Sequence, residues 1–362
     1  MGAVLLTSTI VAHAQFTYTT NNDGTLAITG YTGPGGDVVI PSSINGYPVS
    51  EIANLSRVTN FTSIVISEGI TTINMMSFLV DYNMISVAIP ASVTNIGTGV
   101  FSGCNSLTTI TVDTNNPAYI SVDGALLDKN QTTLVQGPCT KGAYVIPNSV
   151  VNIPDYAFYL AYYLTNVTIP NGVTNIGINT FASANLTSVT IPNSVVSIGE
   201  YAFTGCHNLS RVTIGNGTTN IGTSAFAACP DLTNVYFNGN APNLNGHPNA
   251  SQIFPFPPSP TFLYYLPGTT GWPQFLFGTS MVRVLWNPHA LTGDGSFGVR
   301  NNQFGFNITG SSNLVVVVEA CTNFANPSWQ PVSTNTLTGT PTYFSDPQWT
   351  NYTGRYYRLR SP

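Results

Sequence analysis

The side chains able to do chemistry are few. Histidine occurs four times, at His13, His207, His247 and His289. No His-Glu-x-x-His, Gly-x-Ser-x-Gly or phosphate-cradling P-loop is present, which removes the usual zinc, serine-hydrolase and nucleotide signatures. A glycosidase needs two carboxylates apposed across a sugar. Here Asp23, Asp81, Asp123, Asp128, Asp155, Glu200 and Asp231 fall beside Gly, Asn, Lys, Pro or Tyr at expected bends, where carboxylates serve turns. The Asp123-Gly124 and Asp128-Lys129-Asn130 segment hints at calcium, but it lacks the spaced oxygen ligands and closing Glu of a calcium loop. Neither a metal nor a cofactor is expected.

Five cysteines, Cys104, Cys139, Cys206, Cys229 and Cys321, have no metal-ligand spacing, and an odd, sparse set is not a disulfide framework. Three of them share one position relative to a recurring Phe: Cys104, Cys206 and Cys229. A redox or metal ladder is one reading. Packing is preferred, because free cysteine behaves as a small buried hydrophobe. A Cys206–Cys229 disulfide is the alternative in an oxidising compartment.

The elements that carry these residues repeat. Apolar anchors stand at Ile40, Ile66, Ile89, Val112, Ile146, Ile169, Ile191, Ile214 and Phe237, mostly 22 to 23 residues apart, with one insertion between Val112 and Ile146. Aligned on them is a Phe column, Phe78, Phe101, Phe158, Phe181, Phe203 and Phe226, and a Leu/Met column from Met84 to Leu232. One such coil cannot close a core, but stacked coils bury each column against its neighbours. Val167-Thr168-Ile169 alternates in, out, in with β-branched residues and reads as a strand. Pro170 and its equivalents end it. Ile-Gly pairs such as Ile176-Gly177 permit a second bend through unusual φ, and segments such as Tyr201-Ala202-Phe203 predict a short helical turn.

These coils resemble the BspA-like leucine-rich repeat family, whose coil reads much like Val167-Thr168-Ile169-Pro170-Asn171-Gly172-Val173-Thr174-Asn175-Ile176-Gly177. The likeness covers residues 36–286, and the insertion near 113–143 resembles that family's hairpin-bearing coil. The family's members are mostly bacterial cell-surface or secreted proteins, and several are adhesins. The resemblance therefore implies recognition of an extracellular protein, matrix or glycan. The expected fold class is a β-rich α/β repeat: a leucine-rich-repeat solenoid with a stacked parallel sheet, plus a small C-terminal antiparallel β-sandwich.

Residues 1–14 end in Ala12-His13-Ala14 after an apolar run and read as a signal peptide cleaved before Gln15. The strand pattern around Asn21-Asn22-Asp23-Gly24 predicts a capping hairpin over 15–35. From 287 to 362 the columns vanish and short apolar runs alternate with turn residues, the pattern of a β-sandwich. Its Arg355, Arg358 and Arg360 read as a solvated strand face, with an anchor for anionic glycan as the second reading. Of 362 residues only 6% are charged, and the net charge is -5. A nucleic-acid partner is not expected, nor is a transmembrane segment.

What remains for function is the row of outward strand residues, Ser86, Ala88, Thr109, Thr111, Asn166, Thr168, Ser188, Thr190, Arg211, Thr213, Asn234 and Tyr236, of which those from Asn166 onward are the expected binding residues. Concave solenoid faces commonly bind partners, and Arg211 and Tyr236 are the expected anchors. The preferred function is non-catalytic extracellular binding or adhesion. A spacer presenting the C-terminal module and a carbohydrate-active enzyme are the alternatives.

Overall fold

The computed structural model describes residues 15–360 except 57, 59, 139, 244–252, 255–260, 273–280, 313 and 339. The expected signal segment, Cys139, His247 and the Pro255–Pro260 run lie outside the described residues. The chain forms two compact units, Met1–Leu232 with Pro242–Pro258 and Thr233–Ala241 with Ser259–Pro362.

The first unit is a solenoid of stacked coils. Parallel strands Gly36–Ile40, Phe61–Ile66, Ser86–Ile89 and Thr109–Val112 pair in sequence order, and Ala143–Val145 pairs with Asn166–Thr168, Ser188–Ile191 with Arg211–Ile214. Two-residue strands such as Asn175–Ile176 and Ser197–Ile198 build a second parallel ladder. A separate ladder of the same kind, Thr72–Ile73 with Asn95–Ile96, is extended through Tyr47–Ile52 by the N-terminal hairpin, Phe16–Thr20 with Leu26–Tyr31. Every member of the Phe column is buried, and Phe158, Phe181, Phe203 and Phe226 stack at 5.0–5.2 Å between ring centroids. Phe254 continues the stack 5.2 Å beyond Phe226.

Two local expectations are corrected. The Phe segments are not helical; no α-helix occurs among the described residues. Each is an arch with positive φ two residues before and two after the Phe, as at Tyr156 and Leu160 around Phe158 or Asn179 and Ser183 around Phe181. The reversals turn alternate N–H groups onto the adjoining coil: Tyr156, Phe158 and Leu160 donate to the carbonyls of Ile178, Thr180 and Ala182 at 2.8–3.0 Å. A helical turn would spend those donors locally, so inter-coil bonding overrides the helix preference of Ala and Leu. The Ile-Gly glycines, in turn, do not adopt positive φ. A Cβ on Gly177 would lie 2.5 Å from the Asp155 nitrogen, and one on Gly199 2.5 Å from the Gly177 carbonyl carbon. Close approach of successive coils, not an unusual φ, requires glycine there.

The insertion is a hairpin, Tyr119–Val122 with Ala125–Asp128, closed by Asp123 and Gly124 at φ 52° and 81°, the mirror-image turn that hairpins favour. Leu134–Gln136 joins it as a third strand. Side chains carry the inter-coil bonding past this coil. Asn116, fully buried, donates to the carbonyls of Pro90 and Val93 and accepts from the N–H of Ala118 and Tyr119. The Ile96 N–H finds the Tyr119 hydroxyl at 2.9 Å. At the Phe position stands Gly137, whose missing side chain makes room for the Phe158 ring. Tyr144 supplies extra bulk instead, its ring 6.0 Å from that of Phe158.

In the second unit, strands Asn234–Phe237, Thr261–Tyr265 and Met281–Leu285 run parallel. Two antiparallel sheets follow, one built on Gln303–Thr309 and one on Val315–Cys321. All share one core, in which Tyr236, Tyr264 and Trp286 pack with Phe306, Val316, Val318 and Phe344. Val235 and Phe237 keep the strand's apolar alternation, yet both neighbours of Tyr236 and Tyr236 itself are buried.

Candidate binding surface

Along the strand ladder of the first unit, alternation places every second side chain outward. Asn166, Thr168, Ser188 and Thr190 are exposed, and Arg211 is half-buried. Two expected surface residues are not on the surface. Thr213 is 7% exposed, although its paired neighbour Thr190 is exposed. Tyr236, the expected anchor, is 1% exposed because its ring stacks on Tyr264 at 4.5 Å inside the core of the second unit. Asn234, on the same strand, is half-buried.

Beyond Ser86 the outward row continues toward the N-terminus, where exposed valines stand among polar residues such as Asp37 and Thr62. Val39 and Val65 are paired neighbours at 58% and 45% exposure, and Val145 is 68% exposed. The signal was available, since all three precede an apolar anchor by one residue, the position held by Thr168 and Thr190 in later coils. A shallow cleft of about 440 Å³ lies between the strand Thr109–Val112 and the hairpin strand Tyr119–Val122. Among the described residues each of these strands pairs on one edge only. Thr109 and Asp113 donate to Ile85 and Ile89, so alternation turns the main-chain groups of Ile110 and Val112 toward the cleft. Lys129 stands at its end, with Nζ 3.3 Å from the Thr114 carbonyl.

The carboxylates of this unit serve its backbone. Glu68 accepts from the N–H groups of Ala91 and Ser92, Asp155 from that of Ile178, and Asp128 from that of Thr133. Asp81, fully buried, accepts from the Phe61 and Asn83 N–H groups; burial outweighs those bonds and raises its pKa above the ordinary 3.8. Asp123 pairs with Lys141 at 2.5 Å. Tyr144 has its hydroxyl buried without a hydrogen-bond partner, and burial, with Asp123 adding to it, pushes its pKa up to about 12. No group of three His, Cys, Asp or Glu able to hold a metal occurs among the described residues. His207 and His289 are exposed.

The cysteine column is a packing column with a further task. Cys104, Cys206 and Cys229 are buried thiols that form no disulfide among the described residues, and they donate to the carbonyls of Phe78, Phe181 and Phe203 at 3.0–3.2 Å. Burial raises the Cys206 thiol well above its ordinary value and the Cys229 thiol to about 12, which leaves both unreactive.

In the second unit the three arginines are not a plain solvated face. Glu319, 5% exposed, holds Arg358 and Arg360 at 2.7 and 2.5 Å. Asp346 holds Arg355 at 2.7 Å, with both side chains below one tenth exposed.

Six copies of the BspA type leucine rich repeat region match residues 51–122 and 139–248, half of the chain. The chain belongs to the BspA-type leucine-rich repeat family. No curated protein matches it. Among solved structures, it is similar to a leucine rich cell surface protein from Faecalibacterium prausnitzii, at 22% identity over 61% of this chain and 86% of that one, with a TM-score of 0.39. The pneumococcal vaccine antigen PcpA is 18% identical over 75% of this chain and 91% of that one, TM-score 0.43. A leucine-rich repeat protein from Eubacterium ventriosum is 19% identical over 68% and 84%, TM-score 0.44.

Proposed function

We propose that this BspA-type repeat protein is a non-catalytic binding or adhesion protein at the outside of a bacterial cell, and that the strand face of its solenoid recognises an extracellular protein or glycan. One observation carries the reading. The outward row is a rigid, solvent-facing strip of small polar and β-branched side chains, Val39 and Val65 at one end and Asn166, Thr168, Ser188 and Thr190 at the other, whereas the carboxylates beside it are spent on backbone N–H groups. Rigid parallel ladders present such groups with little entropy left to lose on binding. Residues 1–14 fit export in the same direction.

The test is retention of extracellular proteins and glycans on the immobilised full chain, compared with the double variant Thr168→Arg/Thr190→Arg. Both sites are exposed, so the variant folds while its face is blocked. Capture by the parent and loss in the variant support the reading. Equal capture by both moves the function off this face and favours a spacer role for the solenoid.

A further inference from the structure

The arch side of the first unit carries a group of exposed tyrosines that the strand-face reading does not use. Tyr82, Asn105 and Tyr162 each stand four residues after an arch Phe, namely Phe78, Phe101 and Phe158. The Val80 N–H donates to the Ser102 carbonyl, and the Tyr162 N–H donates to Asn105 Oδ1 at 3.3 Å. The three arches are therefore successive rungs, although the hairpin-bearing insertion separates the last two in sequence. Gly99 and Gly103 permit this approach. A Cβ on Gly99 would lie 2.8 Å from that of Tyr156, and one on Gly103 would lie 3.2 and 3.3 Å from the side chains of Val80 and Leu160.

The middle rung is thus sunk between its neighbours. Every residue from Gly99 to Asn105 is buried, whereas Tyr82, Tyr162 and Tyr163 on the flanking rungs are 48%, 43% and 57% exposed. Tyr159 stands among them half-buried, its ring in edge contact with that of Tyr156 at 5.6 Å. Burial, and then the hydroxyls of Tyr82 and Tyr159, raise the Tyr162 pKa above its ordinary value, so phenols from two different coils are neighbours over the sunk rung.

These arches contain no Lys or Arg to draw an anion. Of their two carboxylates, Asp81 is fully buried and Asp155 accepts the Ile178 N–H. Grouped rings that end in hydroxyls suit a ligand that is neutral, apolar on its faces and hydroxylated at its rim. A pyranose ring has that form: its C–H face lies on an aromatic face, and its hydroxyls exchange hydrogen bonds with the phenols. We infer that this tyrosine platform binds a neutral glycan, with the rings of Tyr82 and Tyr162 as its stacking faces. It belongs to the arch side of the coils and is independent of the strand-face reading.

Calorimetric titration of the full chain with cellohexaose, mannohexaose and N-acetylchitohexaose, and with a heparin hexasaccharide as the charged comparison, tests this. At least one neutral sugar binds. Tyr82→Ala and Tyr162→Ala each weaken it by about tenfold, and Tyr162→Phe, which keeps the ring, weakens it less. If either alanine variant fails to fold, saturation transfer from the parent's tyrosine ring protons to the C–H protons of the sugar supplies the readout instead. Thr168→Arg/Thr190→Arg leaves binding unchanged, so failure of the strand-face reading is seen separately. The inference is overturned if no neutral sugar binds, if only the heparin fragment binds, if the folded alanine variants bind like the parent, or if the sugar receives no saturation from the rings.

Discussion

The Gln136 carboxamide stands in for a missing peptide group between Phe101 and Ala157. Its Oε1 accepts the Phe101 N–H at 3.3 Å, and its Nε2 donates to the Ala157 carbonyl at 3.0 Å. In regular coils the main chain makes this link, as Phe78 does with Val100. At 1% exposure the amide has no competing water. Gln136→Leu keeps the volume but removes the acceptor of the Phe101 N–H and one of the two donors to the Ala157 carbonyl, which keeps the Gly137 N–H, and should cost about 1–3 kcal/mol in chemical denaturation. An unchanged midpoint would show that the two halves of the solenoid do not need the splice.

Phe203 sits between Phe181 and Phe226 at 5.1 and 5.2 Å, fully buried. Phe203→Ala should destabilise the solenoid by about 3–5 kcal/mol, as for other buried aromatics, and Phe203→Leu by less. Parallel melting of parent and Ala variant would disprove the stack's contribution.

Two glycines separate close approach from backbone conformation. Gly177→Ala drives a Cβ into the Asp155 backbone and should cost about 1–3 kcal/mol. Gly124→Ala meets nothing nearer than 3.7 Å, so its cost is that of an alanine at positive φ, about 1 kcal/mol. Thermal melts that ranked them in the opposite order would contradict this assignment.

Glu319 gives the second unit an acid limit. Burial raises its carboxyl, but the hydrogen bonds and charges of Arg360 and Arg358 outweigh burial and leave it below its ordinary 4.5. A depressed carboxyl contributes stability above the unfolded value, and that stability is lost as pH falls through the folded one. The parent should therefore lose stability relative to Glu319→Gln as pH drops below about 4.5, seen as converging melting temperatures. A constant gap from pH 7 to pH 3 would refute it.

The thiols of Cys206 and Cys229 should resist alkylation at pH 8 in the folded protein and react at once in denaturant, because burial holds them protonated. Mass mapping of carbamidomethylated peptides checks both positions. Modification of either under native conditions would mean that the coils open there.

What the sequence made legible was whatever depends on period alone. The Phe and Leu columns, the strands and the hairpin-bearing coil follow from stacking, and one coil predicts the next. Strand alternation likewise gave the side on which Asn166, Thr168 and Tyr236 emerge. It could not give what lies over that side, so Tyr236 was expected as an anchor although it belongs to a core. The arches around Phe158 and Phe181 read as helical because Ala and Leu favour helix locally; their donors are claimed by residues 21 or 22 positions away, which no local preference records. The three arginines looked alike in sequence. Their partners Glu319 and Asp346, 9 to 41 residues distant, divide them into two different settings.

The arch bonds all run one way: Tyr156, Phe158 and Leu160 donate forward, as do Asn179, Phe181 and Ser183, and Tyr201, Phe203 and Gly205 after them. Along the Phe arches the array thus has a chemical head and tail, whereas its bends donate backward, as Gly177 does to the Ile153 carbonyl. Its leading end offers carbonyls, which tolerate being left to water or to nothing, and its trailing end offers N–H groups, which rarely go unmet. Phe226 meets that demand by donating to the Ile253 carbonyl at 3.0 Å. In the arch column, coils cut from the front and coils cut from the back are therefore not equivalent losses, and the back is the end at which that column needs an acceptor.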